Sequence, residues 1–319
     1  MRAVTITEFG ATPAVVAIPA PEPGPGQVLI KLAAAGMNPM DRTFASGART
    51  PPLPATFPMV LGADGAGVVE KLGEGASRYS VGDNLFGQLL ITPLGSAGTY
   101  AEYVAVAEDA HLARVPSGVD LVVAASLPTA GATGLALVDV FEPLSEKEVL
   151  IIGAGGGVGS FVTQFALNAG GRVVANVRSS LDERRMEGYG VAETINREAV
   201  ELPDAVRREH PDGIDVLIDL VNDGAAFAEL ASLAKPEGTA VSTRYAADEE
   251  GLRAKGIAGI NFNLAAQMSS ELLERVAEAV ADARILVPPI RRISLEEAPA
   301  AFNSARPASG KTVIVMSAP

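Results

Sequence analysis

Glu148-Val149-Leu150-Ile151-Ile152-Gly153-Ala154-Gly155-Gly156-Gly157-Val158-Gly159 decides the fold of this chain. It runs from a short apolar strand directly into a glycine-rich turn, and residues 160–168 continue with helical spacing. Ala154, Gly156 and Gly159 fall at the spacing of the dinucleotide-binding fingerprint, with alanine in the place of its first glycine. Small residues are needed there because the turn is tight, a pyrophosphate must approach the backbone, and the helix must pack close to the strand. Exposed N–H groups at the helix start then hold the anion. The spacing alone is weak evidence, since a glycine-rich turn also serves packing. Strand, loop and helix in that order predict a nucleotide site.

Outward from this stretch, apolar strands alternate with helical segments. Strand 149–152 and helix 157–169 lead into strand 172–177, a polar helix at 181–189 and a short strand at 193–195. An acidic helix at 199–209, strand 214–220, helix 225–233 and strand 238–243 follow. That alternation means βαβ units and a doubly wound parallel sheet. Residues 1–115 have a different texture, with short β-type runs at 15–18, 27–33, 67–71 and 103–106. Turn clusters at 19–26 and 50–58 separate them, as in a compact β domain. The tail changes again: 270–283 is an amphipathic helix with Leu272, Leu273, Val276 and Val280 on one face. Strands at 291–295 and 311–316 then flank a helix at 296–304, and are expected to return to the first domain. The expectation is an α/β protein in which 1–115 and 265–319 form a discontinuous β domain around a Rossmann domain at 116–264.

The 319 residues suffice for two such domains. Net charge is −13, and the basic residues form only short pairs such as Arg207-Arg208 and Arg291-Arg292. This argues against nucleic acid, whose binding depends on neutralising phosphates. Cysteine is absent, which removes disulfides, thiolate nucleophiles and Cys-based metal sites. Of the two histidines, His111 and His210, neither has a second histidine at ligand spacing, so no metal centre is expected. The longest uncharged run, 121–138, is punctuated by Pro128, Gly131, Thr133 and Gly134; it reads as loops plus a buried helix start rather than a membrane span. Residues 1–6 read as a first strand, not a cleavable signal, and point to a cytoplasmic protein.

Four further stretches carry a family likeness. Gly36-Met37-Asn38-Pro39-Met40-Asp41 is similar to a GxNPxD segment, and Leu61-Gly62-Ala63-Asp64-Gly65-Ala66-Gly67 with Val81-Gly82-Asp83 to a barrel segment. Gly98-Thr99-Tyr100-Ala101-Glu102-Tyr103 resembles GxYAEY, and 153–159 resembles a GAAGGVGS turn. Leu127-Pro128, Gly131, Thr133 and the closing Gly310-Lys311 also match. The chain therefore resembles the medium-chain dehydrogenase/reductase superfamily, in its zinc-free quinone oxidoreductase branch. The resemblance implies a GroES-like β-barrel domain beside the Rossmann domain, an active site in the cleft between them, and a homodimer. Where zinc-dependent relatives carry GHE this chain has Gly62-Ala63-Asp64, in keeping with its lack of cysteine.

In NAD-type sites an acid closes the second strand and binds the ribose 2′-hydroxyl. Here strand 172–177 ends in Arg178-Ser179-Ser180, and no acid appears before Asp182. An arginine and two hydroxyls suit a 2′-phosphate, because guanidinium binds phosphate in a bidentate way. NADPH is the expected cofactor; Arg184 and Tyr189 are weaker candidates for the same pocket. Gly155, Gly156, Gly157 and Val158 are expected to cradle the pyrophosphate. The resemblance further implies Thr133 near the nicotinamide and Arg244, just after Thr243, as a phosphate contact. It also puts Val221 and the Asn261-Phe262-Asn263 segment at the carboxamide.

Lacking metal and thiolate, such a site is better suited to an already activated acceptor than to a simple ketone. A quinone or an α,β-unsaturated carbonyl accepts hydride, and its oxygen then needs only a hydrogen bond and a proton. Asn38 is the leading candidate for that contact, and Asp41 either relays a proton or braces its turn. Many relatives carry tyrosine or lysine where this chain has Thr43, which leaves the proton donor open; bulk water would serve. Tyr100 reads as core and His111 as an exposed loop residue. Segments 46–57 and 245–255 are expected to shape the substrate pocket. A trans-acting enoyl or polyketide-tailoring reductase fits the same features, and Thr43 leaves room for a low-turnover NADPH-binding sensor.

Overall fold

The computed structural model describes residues 1–48, 53–89, 91–304 and 309–316. The chain divides into two units, the first formed by Met1–Ala132, Met268–Ala283 and Pro289–Pro319, the second by Thr133–Gln267 and Arg284–Pro288. The division falls later than the change of sequence texture near residue 116. Its cause is the helix Leu121–Ala124, which packs on strands Gln27–Met37, Asp64–Leu72 and Asn84–Gln88 of the first unit. Residues 121–138, read as loops with a helix start, instead supply that helix and the twelve-residue helix Pro128–Asp139. Glycines that looked like punctuation are points of close approach. A Cβ on Gly131 would lie 2.6 Å from Val276, and one on Gly134 would lie 2.7 Å from Phe161.

The first unit is built on a seven-stranded sheet. Its path runs through Ile290–Ser294, Lys311–Val315, Gln27–Met37, Asp64–Leu72, Asn84–Gln88 and Leu112–Arg114, with Tyr103–Ala107 also on Gln27–Met37. A smaller sheet joins Ala14–Ala17, Arg2–Ile6 and Met59–Val60. Val4, Ile6, Val28, Ile30, Leu32, Leu85, Leu112 and Ile314 meet in one core. Removing such side chains from water, at roughly 1.5–3 kcal/mol each, is what holds the strands together. Register then matters more than any single contact. Thr312 lies opposite Met37, and Asp64 lies opposite Gly36 on one side and Gln88 on the other. Four strand ends, at Lys311, Met37, Asp64 and Gln88, therefore share one end of the sheet.

The second unit carries six parallel strands in the order Glu193–Asn196, Arg172–Val177, Glu148–Ile152, Ile214–Asp219, Ala234–Ser242, Ala258–Asn261. Numbered along the chain from Glu148–Ile152, this is the 3-2-1-4-5-6 order of dinucleotide-binding sheets. Leu150, Ile152, Val174, Leu217, Phe227 and Ala240 belong to its core. The sixth strand escaped the sequence reading because it is four residues long, contains glycine, and sits at the edge with only a half-buried face. Chain order reverses between Glu148–Ile152 and Ile214–Asp219, so the loops leaving those strands flank the crevice where ligands of such sheets bind.

Candidate nucleotide and substrate sites

Each glycine of the 153–159 loop has its own reason. Gly153 has φ +83°, a left-handed conformation that lets the strand turn sharply, one residue before Ala154 at the fingerprint's first position. A Cβ on Gly159 would lie 2.2 Å from the Gly153 carbonyl oxygen and 2.6 Å from Ala154 Cα, so helix Gly157–Asn168 packs there as only glycine permits. Gly155 faces Asp182, whose Cγ would lie 2.7 Å from an added Cβ. Gly156 differs: its φ of −78° suits any residue, and an added Cβ meets only the Gly153 carbonyl oxygen, at 3.3 Å. The protein's own demand for glycine at 156 is far weaker than at 159, which fits a backbone kept bare for a ligand. Gly157 and Val158 open the helix, presenting the N–H groups to which an anion binds.

The other nucleotide candidates of this unit lie mostly where its strands end. Arg178 and Ser179 follow Arg172–Val177, and Val221 follows Ile214–Asp219. Thr243 and Arg244 follow Ala234–Ser242, while Phe262 and Asn263 follow Ala258–Asn261. Asp219 shapes one of these turns by accepting from the N–H groups of Val221 and Asn222, both at 2.9 Å. Val221 is exposed as a result, its side chain beside Gly153. Thr243 N–H donates to the Asp219 carbonyl, and Arg244 pairs with Asp223 at 3.4 Å. Phe262 is buried, whereas Asn263 is exposed and accepts from Ala265 N–H. Thr133 is buried within helix Pro128–Asp139.

Around the end of Arg172–Val177, hydroxyls and acid have been sorted by the helix that follows. Ser179 caps helix Ser180–Gly188, accepting from Asp182 N–H and donating to Asp182 Oδ2 at 2.9 Å. Asp182 also meets Arg185 at 2.7 Å, and Arg185 donates to the Gly155 carbonyl. The first acid after the strand is thus buried and neutralised against the glycine loop, where it braces that loop. Arg178, half-buried, stands ahead of this arrangement. Arg184 is exposed and Tyr189 is half-buried.

In the first unit, the shared strand ends gather a buried polar cluster. Asn38 ends the chain's extended run and precedes helix Pro39–Ser46, where Pro39 suits the first turn. Asp41 in that turn accepts from Asn38 N–H at 2.7 Å and from the Tyr100 hydroxyl at 2.6 Å, both on Oδ2. Asn38 Nδ2 donates to Asp64 Oδ2 at 2.8 Å, and Lys311 Nζ donates to Asn38 Oδ1 at 2.6 Å. Asp64 also accepts from the Thr129 N–H and hydroxyl, and Gln88 donates to Thr129. Burial raises the Asp41 carboxyl to about 7 despite the bonds from Tyr100 and Asn38. It also raises Asp64 and lowers Lys311, each opposed by the other's charge. Asn38, Gln88 and Thr129, at 7%, 7% and 8% exposed, are the least enclosed members of the cluster; Asp41, Asp64 and Tyr100 are more deeply buried. Thr43 lies on the exposed face of the helix, its carbonyl bonded by Ser46. The expected pocket segment 46–57 includes residues 49–52, which lie outside the described residues.

Two family models match the chain: the alcohol dehydrogenase GroES-like domain over residues 24–117, and the zinc-binding dehydrogenase domain over 157–271. Alcohol dehydrogenase 1 of Emericella nidulans is 30% identical over 257 residues, 70% of this chain and 71% of that protein. Human quinone oxidoreductase is 33% identical over 230 residues, 69% of this chain and 66% of its own length. The chain belongs to the medium-chain dehydrogenase/reductase superfamily. The first quinone oxidoreductases it matches are thus covered over slightly less than two-thirds of their length. Among solved structures, mycobacterial Rv1454c complexed with NADPH is similar at a TM-score of 0.83 and 27% identity, covering 99% of this chain and 100% of that one. The barrel of the first unit is the superfamily's GroES-like domain and the six-stranded unit its Rossmann domain.

The residues at the superfamily's zinc position do not fit a metal. Ala63 offers no ligand atom, and Asp64 is occupied by Asn38 and Thr129. Among the described residues no group of three or more His, Asp or Glu side chains converges. Sequence reasoning missed Thr129, Gln88 and the link from Lys311 to Asn38, and treated Asp182 only as the first acid after the strand. A signal was present: Lys311 and Asp64 each open a strand whose next four residues carry no charge, where a charge needs a buried partner.

Proposed function

We propose that this protein is an NADPH-dependent oxidoreductase that reduces a quinone or an activated α,β-unsaturated carbonyl without zinc. The observation that carries the reading is Gly156, beside the crevice of a 3-2-1-4-5-6 sheet, where an added Cβ would meet a single carbonyl oxygen of the protein, at 3.3 Å. Gly156, Gly157 and Val158 would hold the pyrophosphate through backbone N–H groups. Arg178 would meet the 2′-phosphate, and the pairing of Asp182 with Arg185 removes the free carboxylate that would repel it. The NADPH bound by Rv1454c and the activity after which the quinone oxidoreductase relatives are named support the same assignment.

When bound, the reduced nicotinamide supplies a hydride. Asn38 would donate one N–H to the acceptor oxygen, stabilising the charge that develops as hydride adds to the conjugated system, and solvent would supply the proton. A substrate of this type needs no Lewis acid, in agreement with a chain that has no cysteine and carries Ala63 at the zinc position. NADPH consumption with a panel of quinones and enones, repeated with NADH and with a chelator, tests the reading. Turnover that prefers NADPH and ignores the chelator is expected. Loss of activity on chelation would refute the zinc-free assignment, and tight NADPH binding without turnover would favour a sensor.

A further inference from the structure

Lys311 is the one buried lysine among the described residues, and it opens the strand Lys311–Val315, far along the chain from the helix at Pro39. A buried ammonium is costly unless its hydrogen bonds are satisfied, so its partners show what it does. Those bonds go to the Met37 carbonyl at 3.2 Å and to Asn38 Oδ1 at 2.6 Å. Asn38 is the N-cap of its helix, and an asparagine there ordinarily turns its oxygen to the helix N–H groups for about 1 kcal/mol. Here Oδ1 accepts from the Lys311 ammonium. With Oδ1 held by Lys311, Nδ2 faces Asp64 at 2.8 Å. The reversed amide would set NH2 against an ammonium and oxygen against a carboxylate, so only one orientation is available. The second Nδ2 hydrogen has no acceptor among the described residues.

We propose that Lys311 is a positioning residue: by holding Asn38 Oδ1 it commits the carboxamide to present an N–H to the substrate oxygen. This rests on the reading of Asn38 as the substrate contact given above. Steady-state rates and NADPH titrations on K311M, N38A and the double variant test it. N38A should lower kcat/KM for a quinone by about tenfold to a hundredfold, the loss of one hydrogen bond to developing charge. K311M should lower it comparably, with the NADPH Kd unchanged within about twofold, and the double variant should be no slower than N38A. Losses that multiply in the double variant would show that Lys311 acts independently of Asn38, as a purely structural residue would. A wild-type rate in K311M with N38A impaired overturns the role of Lys311 alone. A wild-type rate in N38A overturns the reading of Asn38 and this proposal with it.

Should K311M fail to fold, the unmodified protein decides. In 1H–15N spectra, with N38A as assignment control, one Asn38 amide proton should exchange slowly with water and the other fast. Two rapidly exchanging protons would overturn the clamp.

Discussion

Asp41→Asn removes a buried charge while leaving its hydrogen bonds in place. Both bonds to Asp41, from Asn38 N–H and the Tyr100 hydroxyl, end on a single oxygen. An asparagine oxygen at that point accepts both, with the NH2 where Oδ1 stood. Burial lifts the carboxyl from 3.8 to about 7, so between those values the folded protein keeps a proton that the unfolded chain has released. Stability therefore falls as pH rises through this window and is level above it. From 3.8 to about 7, at about 1.36 kcal/mol per unit of pH, the loss is about 4 kcal/mol by neutral pH. The asparagine variant cannot ionise and escapes this loss. Urea unfolding at steps from pH 4 to pH 8 should show the variant gaining on the wild type by up to about 4 kcal/mol across the window. Carboxyl 13C titration, with the variant as assignment control, should place the Asp41 transition near neutrality. Parallel stability curves, or a carboxyl titrating at its ordinary value, would refute the account of a charge enclosed at the helix start.

Other perturbations separate packing from binding. Gly159→Ala drives a Cβ to 2.2 Å from the Gly153 carbonyl oxygen, and should lower Tm sharply whether or not NADPH is present. Gly156→Ala brings a Cβ only to 3.3 Å from one carbonyl oxygen, so its Tm should fall far less than that of Gly159→Ala while NADPH affinity falls at least about tenfold. Wild-type affinity in a titration would mean that the cofactor lies elsewhere. Arg178→Ala should raise the KM for NADPH by about tenfold to a hundredfold and leave NADH nearly unaffected; equal losses would show that Arg178 does not read the phosphate. His210 is buried between Glu148 at 3.0 Å and Glu193 at 3.1 Å. Burial pulls its pKa down, but the bonds to Glu193 and Glu148 outweigh it and the net shift is above 6.5. The stability it contributes is full below pH 6.5 and is lost as pH rises through the folded value. A wild-type Tm that falls toward that of His210→Gln with rising pH is expected, and a constant difference would argue against the linkage.

Whatever local rules govern was legible in the chain before folding. Residues 148–159 read as strand, turn and helix because periodicity, glycine and small side chains act over a dozen positions, and the alternation after them implies a parallel sheet. The absence of cysteine and the Gly62-Ala63-Asp64 segment were equally plain in the sequence, because ligand chemistry belongs to residue type. Less was legible where a residue's meaning depends on distant neighbours. Gly131 and Gly134 looked like breaks in a loop, yet they admit Val276 and Phe161 to a buried helix. The strand Ala258–Asn261 is too short and too half-exposed to announce itself. Asp182 looked like an acid that arrives late, and only the folded helix shows it neutralised by Arg185. Lys311 and Asn38 are separated by 273 positions and meet because Thr312 pairs with Met37. Register between strands is settled by the whole hydrophobic face of the barrel, and no local pattern records which residues that register brings to the same end of a sheet.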